Sequence, residues 1–533
     1  MARYRHSETQ MKLIILFFFP FFISVTPLFT QEYDTPNIIY ILADDMGFGD
    51  VKAYNNKAKF PTPHIDQMVR EGVKFTDAHT SSSVCTPTRY GILTGRYAWR
   101  THLKKGVTHG LTEHLIDTKR TTVARYLKMK GYATAVIGKW HLGMDWHYAY
   151  PGKVDKFGTN LNTQTSIQNG PNALGFDYYY GISASLNMSP HSYIENDKLL
   201  GDNLKLIKDS NEIKNILGFG SGKPGWLDLN FKRDEVLQTF TNKAIGWMNR
   251  IKKQSPDKPF FLYLSLNAPH SPIAPSSQFI GKSKLSPHAD FCMDVDNTVG
   301  QIIEAVGSLG ITENTIIIFT SDNGVSPMAK LKTMQEQGHF SSYIYRGLKG
   351  TLYEGGHRVP FIVKWPKIIK DSFEIDYLTC TTDFLSTVFH LFGDILPDDA
   401  GEDSVSFLPV LLGEDKNDID RGGIVHHSDA GFFAIRKGKW KLIFDENAGS
   451  RRVDPKDKPI INPGEIQLFN MKTDAIESTN VAAQHIDIVE DLKKLMAKFI
   501  NDGRSTVGKS QKNDPTPKGW KNVSHFESYL KIN

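Results

Sequence analysis

Polar residues with chemical capacity follow apolar runs at four places in this chain. Asp44 and Asp45 follow NIIYIL (37–42), and Lys139 and His141 follow ATAVIG (133–138). His270 follows PFFLYLSL (259–266), in NAPHSP, and Asp322 and Asn323 follow TIIIFT (315–320), in SDNG. If the four runs are strands of one open parallel sheet, their carboxyl ends deliver these groups to a single edge, where sites form in such sheets. Asp44, Asp45, Asp322 and Asn323 offer only oxygen, which suits a hard divalent ion such as calcium or magnesium. His141 and His270 could instead hold zinc, but no Cys or His stands at zinc-ligand spacing around them. A lone aspartate after a strand caps a turn as readily as it binds a metal. A double Asp on one strand and Asp-Asn-Gly on another move the balance toward metal.

Cations accompany these oxygens. Arg89 and Lys139 lie in the same segments, and Lys349 lies in RGLKGTLYEGGHRVP. Singly, each lysine reads as a solvated surface charge. Together with a divalent ion they outweigh three carboxylates and suit a tetrahedral oxyanion, Arg as a planar fork and Lys as a point charge. Cys85, in SSSVCTPTRYGILTGR (81–96), admits three readings. It could be a buried structural thiol. It could be a phosphatase-type thiolate, which the short interval to Arg89 does not fit. It could be a thiol destined for conversion into another group.

The elements that must position these groups alternate. Helical periodicity marks PHIDQMVREG (63–72), with Ile65, Met68 and Val69 on one face, and TTVARYLKMKGY (121–132). It also marks DEVLQTFTNKAIGWMNRIKK (234–253) and roughly 290–309, and VPFIVKW (359–365) reads as a further strand. This order predicts an α/β fold, a large and mostly parallel sheet sandwiched by helices. Residues 151–230, rich in Gly, Asn and Lys, read as long loops at the rim of the site. Beyond about 420 the pattern shifts to a hairpin around Lys437-Gly438, a strand in EIQLFNM and the amphipathic helix IDIVEDLKKLMAKFIND, a small α+β subdomain. The tail GKSQKNDPTPKGWKN reads as loosely ordered. The predicted division is 1–30, 31–420 for the catalytic α/β domain, and 421–533 for the C-terminal subdomain with an antiparallel sheet and closing helix.

The 533 residues are 40% apolar and 23% charged, with a net charge of +5, which argues against a nucleic-acid partner. The run MKLIILFFFPFFISVTPLF behind Lys12 reads as a secretory signal, cut near Thr30. A membrane anchor is the rival reading, but the run falls short of a span. The expectation is an exported protein, periplasmic or secreted, with no stable membrane insertion. Export would permit disulfides, yet nothing in the sequence pairs Cys292 with Cys380.

CTPTRYGILTGR resembles the modification signature of the type I, formylglycine-dependent sulfatases of the alkaline-phosphatase superfamily, with Thr88 where Ser is commoner. GYATAVIGKWHLG is similar to that family's second signature. NIIYILADDMGFGD, NAPHSP, FTSDNG and GLKGTLYEGGHRVP resemble its remaining blocks, in family order, over about 37–366. The resemblance implies that Cys85 is oxidised by a formylglycine-generating maturation enzyme to an aldehyde that hydrates to a diol. One diol oxygen would attack sulfur, and the other would later expel sulfate. It further implies that Asp44, Asp45, Asp322, Asn323 and residue 85 bind calcium, with magnesium the alternative. Arg89 would steady the diol, and Lys139 and Lys349 would grip sulfate oxygens. His270, with Lys349, would serve as acid at the leaving oxygen, and His141 would remove the diol proton. These two histidine roles are interchangeable on sequence grounds. Ser185 matches a serine that contacts sulfate in some relatives.

The implied substrate is a sulfated glycan, in the manner of secreted bacterial polysaccharide sulfatases. Trp146, Tyr148, Tyr150, Tyr178 to Tyr180, His191 and Tyr193 could stack on sugar rings or fill the core. His426 and His427 could reach the pocket rim. Two other readings compete. One is a phosphate or phosphonate ester hydrolase of the same superfamily, against which Cys85 argues. The other is a non-catalytic glycan binder whose Cys85 stays unmodified.

Overall fold

In the computed structural model, Asn37–Asp44 is a wholly buried strand near the middle of a ten-stranded sheet. It runs parallel to Phe260–Pro269 on one side and Thr315–Ser321 on the other, with Ile38 beside both Phe261 and Ile316. Ala133–Lys139 continues the parallel order beyond Phe260–Pro269. Phe361–Lys364 pairs antiparallel with Thr315–Ser321, so the sheet is mixed at that end. The structure describes Met1 and residues 35–150, 157–220, 222–414, 421–515 and 519–531. The predicted signal segment 1–30 therefore lies outside the described residues, Met1 apart.

Strand alternation builds the two layers. Ile39, Ile41, Leu262, Leu264 and Ile317 face the helices Val236–Gln254 and Pro287–Ser308. Ile38, Tyr40, Phe261, Tyr263 and Ile318 face the helices Cys85–Thr94 and Phe384–Leu391. With both faces covered, the central strands read as continuous apolar runs, which is why they were visible in the sequence. Among the described residues, no helix is long and apolar enough to cross a membrane.

A second sheet, all antiparallel, holds Ile424–His427, Phe433–Lys437, Trp440–Ile443 and Gln467–Asn470 in that order. The helix Ile486–Asn501 packs Val489, Leu492 and Met496 against it. Its edge meets the main body just ahead of Cys85. Ser83 N donates to the His427 carbonyl at 3.0 Å, and Ser82 Oγ donates to the same oxygen at 2.7 Å.

Three expectations need correction. Residues 151–230 are not only loops. Tyr178–Ile182 joins the main sheet beside Ala133–Lys139, Leu204–Ile207 pairs with Gly225–Asp228, and Ser210–Leu217 is helical. These elements are too short for periodicity to show. The described part of the tail is docked rather than loose. Gln511 N donates to Asp502 O at 2.8 Å, Asp514 N to Arg100 O at 2.7 Å, and Trp520 Nε1 to Trp99 O at 3.0 Å. His426 and His427 are buried away from any rim; His426 stacks on His357 at 3.7 Å. Cys85, Cys292 and Cys380 are all buried and free.

Buried neutral histidines set an acid limit on stability. Burial pushes His191 down to about 4 and His427 down to about 3. In the unfolded chain both return to about 6.5, so below that pH the unfolded state binds more protons. Their contribution is complete above about pH 6.5 and is lost as pH falls toward the folded values. By about pH 5 the expected loss is about 2 kcal/mol per histidine. Denaturant titrations at about pH 7 and about pH 5 measure it; equal midpoints would contradict the assignment.

Candidate active site

Cys85 opens the Cys85–Thr94 helix, all ten residues of which are buried. The segment is apolar and polar all round because it has no solvent face. Pro87 sits in the first turn, where a missing N–H costs nothing. Gly95 ends the helix with φ 62°, a left-handed cap that glycine adopts without strain. Thr88 Oγ1 donates to Ser82 O at 3.1 Å, so threonine keeps a hydroxyl that binds the preceding loop.

The four strand ends do converge. Cys85 Sγ lies 3.6 Å from Asp44 Oδ1 and 3.4 Å from Lys349 Nζ. Ligand atoms of Asp44, Asp45, Cys85 and His270 all fall within 4.8 Å of one another. Lys139 Nζ donates to Asp44 Oδ2 at 2.6 Å, and Lys349 Nζ to Asp45 Oδ1 at 2.5 Å. Asn323 Nδ2 donates to Asp45 Oδ1 at 2.7 Å, and the Asp45 amide donates to Asp322 Oδ1 at 3.1 Å. Arg89 grips Asp322 Oδ2 through Nε at 3.0 Å and Nη2 at 2.7 Å, and lies 3.7 Å from Asp44 Oδ1. Removing Arg89 would strand a buried carboxylate, a loss of about 3 kcal/mol or more.

Two site residues hold left-handed backbone without being glycine, Asp45 at φ 70° and His141 at φ 58°. Such strain persists only where neighbours fix it. The His141 carbonyl accepts from Thr86 Oγ1 at 2.9 Å and Thr108 Oγ1 at 2.8 Å, and its amide donates to Ser183 O at 2.9 Å. Gly138, two residues before Trp140, permits the close approach of the next strand: a Cβ there would lie 1.8 Å from Ser265 O.

The electrostatics are those of crowded, buried opposite charges. Burial alone would raise Asp44, but Lys139, His270 and Arg89 hold it well below the usual carboxylate range. Burial and the neighbouring Asp44 push Asp322 up to about 6, so positive charge is short around this carboxylate. Burial and Asp322 push the Cys85 thiol up to about 12, so it is protonated at neutral pH. Burial and Lys349 bring His270 down to about 4. Asp45 Oδ2 and Asn323 Oδ1 are buried with no hydrogen-bond partner among the described residues. Buried orphan oxygens beside an undercompensated carboxylate fit a hard cation.

Sequence reasoning missed Ser265, whose hydroxyl donates to Lys139 O at 2.7 Å and accepts from Arg89 Nη1. It also missed Thr108, which holds His141. A serine inside an apolar strand gives no signal of its own. Asn267, two residues on and buried, has both side-chain polar atoms without partners. Ser185 is not joined by hydrogen bonds to the cluster; its buried hydroxyl has no partner, and Ser183 beside it carries the contact to His141. Of the aromatics considered for sugar stacking, Tyr179 and Trp146 are buried in the core, and Tyr180 stacks on Tyr193 at 5.3 Å.

A sequence model described as Sulfatase matches residues 36–395, most of the chain. The chain belongs to the sulfatase family. Over 511 residues it is 35% identical to N-acetylgalactosamine-6-O-sulfatase of Bacteroides thetaiotaomicron, covering 87% of this chain and 93% of that one. It is 29% identical over 509 residues to human arylsulfatase A, covering 89% and 90% of the two chains. A solved structure reported under the metabolism of multiple glycosaminoglycans by Bacteroides thetaiotaomicron superposes with a TM-score of 0.75 at 32% identity. It covers 87% of this chain and 99% of that one. As a member of this family the protein is a sulfuric ester hydrolase. The sheet with flanking helices and the separate antiparallel sheet are the sulfatase architecture seen in that structure.

Proposed function

We propose that this sulfatase removes sulfate from a sulfated glycan, using a formylglycine made from Cys85 and a divalent cation, with calcium the first choice. What carries this reading is Cys85 seated between Lys349 and Asp44, at 3.4 and 3.6 Å, where two strand ends bring the carboxylates of Asp44, Asp45 and Asp322 and two others bring Lys139 and His270. The two Bacteroides relatives, one an N-acetylgalactosamine-6-O-sulfatase and one reported under glycosaminoglycan metabolism, support a sulfated amino-sugar polymer as the substrate class. An exported protein, matured by a formylglycine-generating enzyme, suits such a substrate.

Asp44, Asp45, Asp322 and Asn323 would hold the cation, which supplies positive charge that polarises the attacking oxygen and the sulfate. Formylglycine at residue 85 would supply, as its hydrate, two oxygens where serine has one. The chain's own residues do the rest. Lys139 sits on Asp44 and Lys349 on the neighbouring Asp45. Both are set to share their charge with sulfate oxygens as the S–O bond to the sugar breaks. Arg89 ties the Cys85 helix to Asp322 and to the Lys139 carbonyl.

We assign the two histidine roles from their hydrogen bonds. His141 Nε2 meets the Thr108 carbonyl at 2.9 Å, so that nitrogen carries the hydrogen. His141 Nδ1 is then a free, buried acceptor, fit to take the proton that accompanies sulfate release. His270 Nδ1 faces the Ser271 carbonyl, and its Nε2 lies 3.7 Å from Asp45 Oδ2. With Nδ1–H on that carbonyl and the ring neutral, Nε2 carries no hydrogen, so the acid placed for the leaving sugar oxygen is the Lys349 ammonium, which shares Asp45 with His270.

The test is sulfate release from a panel of sulfated mono- and disaccharides by protein co-produced with a maturation enzyme. Release from at least one sugar sulfate is expected. Release only from aryl sulfates, or only phosphate release from phosphate esters, would sink the glycan reading. Metal dependence gives a second prediction. Chelation should abolish turnover and lower the melting temperature, and added calcium should restore both. Asp322→Ala should show no calcium-dependent rise in melting temperature; a rise equal to wild type would remove Asp322 from the ligand set.

A further inference from the structure

A cleft of about 590 Å³ opens beside the centre and has no role in the chemistry above. It adjoins the His141 side. His109, which lines it, follows Thr108, whose carbonyl and hydroxyl both hold His141. The opposite wall, Met188 and Ser189, continues the segment whose Ser183 carbonyl accepts the His141 amide. The walls touch closely: a Cβ at Gly110 would lie 1.9 Å from Ser189 O.

Two exposed lysines, Lys208 and Lys223, also line it, and no lining residue is acidic. The Lys223 backbone is fixed at both ends. Its amide donates to Asn187 O at 2.8 Å, and its carbonyl meets His191 Nε2 at 2.8 Å. The nearest acid in sequence, Asp209, spends its carboxylate on the Asn211 and Glu212 amides at 2.7 and 2.9 Å. Among the described residues, neither lysine has a carboxylate within ion-pair distance. Burial, with Lys223 nearby, also lowers His109, so positive potential reaches across the cleft. Two lysines that, among the described residues, have no carboxylate partner attract a second anion, and lysine reads its sign rather than its shape.

We propose that this cleft is a subsite for a second anionic group, a carboxylate or another sulfate, on the sugar adjacent to the one desulfated. Lys208 and Lys223 are its specificity-determining residues. The inference rests on the glycan reading above, and binding and turnover separate the two. The Cys85→Ala chain, which has no nucleophile at residue 85, is titrated calorimetrically with three ligands: a sulfated disaccharide carrying a uronic carboxylate, its carboxyl-reduced counterpart, and the reduced form carrying a second sulfate.

The expected result is about tenfold weaker binding on loss of the second anion, a factor that shrinks as salt is raised. Recovery by the second sulfate alone would assign the subsite to sulfate, and a preference for the carboxylate form would assign it to uronate. In the same background, Lys208→Ala with Lys223→Ala should bring all three affinities together. Equal binding of the three ligands with the lysines intact would overturn the proposal, and so would an undiminished preference in the double variant. Sulfate release by mature wild type from these disaccharides tests the glycan reading by itself.

Discussion

Cys85→Ser, produced beside a maturation enzyme, is expected to keep its fold and lose at least about a thousandfold in steady-state turnover. Serine replaces sulfur with oxygen in a site that is 2% exposed, so little space is created and no charge is added. Lys349 and Asp44 retain a polar partner between them. The hydroxyl can still attack sulfur, and one equivalent of the sugar alcohol leaves. The chain then has no second oxygen on that carbon with which to expel sulfate. The expected record is a stoichiometric burst of alcohol, sulfate retained on residue 85, and a melting temperature close to wild type. Sustained turnover at the wild-type rate would show that the second oxygen is not needed.

Lys349→Ala has the next largest expected effect, a fall in kcat of roughly 10²–10³-fold. The ammonium sits 2.5 Å from Asp45 Oδ1 and 3.4 Å from residue 85, and the Lys349 backbone is anchored by its amide on Val325 O at 3.0 Å. Arg452 Nη1 donates to the Lys349 carbonyl at 3.1 Å. Below this loop Lys441 joins Glu354 at 2.9 Å and Glu477 at 2.7 Å, all buried, so the second sheet braces it. The lysine therefore acts from a fixed position, which is what stabilising charge in a transition state requires. Its loss also leaves Asp45 short of a counter-charge, so the variant should melt lower without calcium than with it. Lys349→Arg keeps the charge but not its position, and should recover stability more than kcat. An unchanged kcat in Lys349→Ala would remove this residue from the chemistry.

The parts of the fold legible in the sequence were those with both faces buried. Asn37–Asp44, Phe260–Pro269 and Thr315–Ser321 carry unbroken apolar runs because helices cover each side, and the polar residues at their ends then marked one edge. Tyr178–Ile182 was hidden because three tyrosines and a glycine look like a sugar-binding loop as much as a strand. The supports of His141 were not legible. Thr86, Thr108 and Ser183 act through backbone geometry and ordinary hydroxyls, and their positions follow only from the folded loops. His426 and His427 were misplaced because a buried histidine in a polar network has the same sequence signature as one at a pocket rim.

The most direct measurement is the mass of the proteolytic peptide spanning residue 85, taken from protein whose sulfate release has been assayed in the same preparation. The account predicts an aldehyde in place of the thiol, with specific activity rising in proportion to the converted fraction. Full activity from peptide that is wholly unconverted cysteine would contradict it.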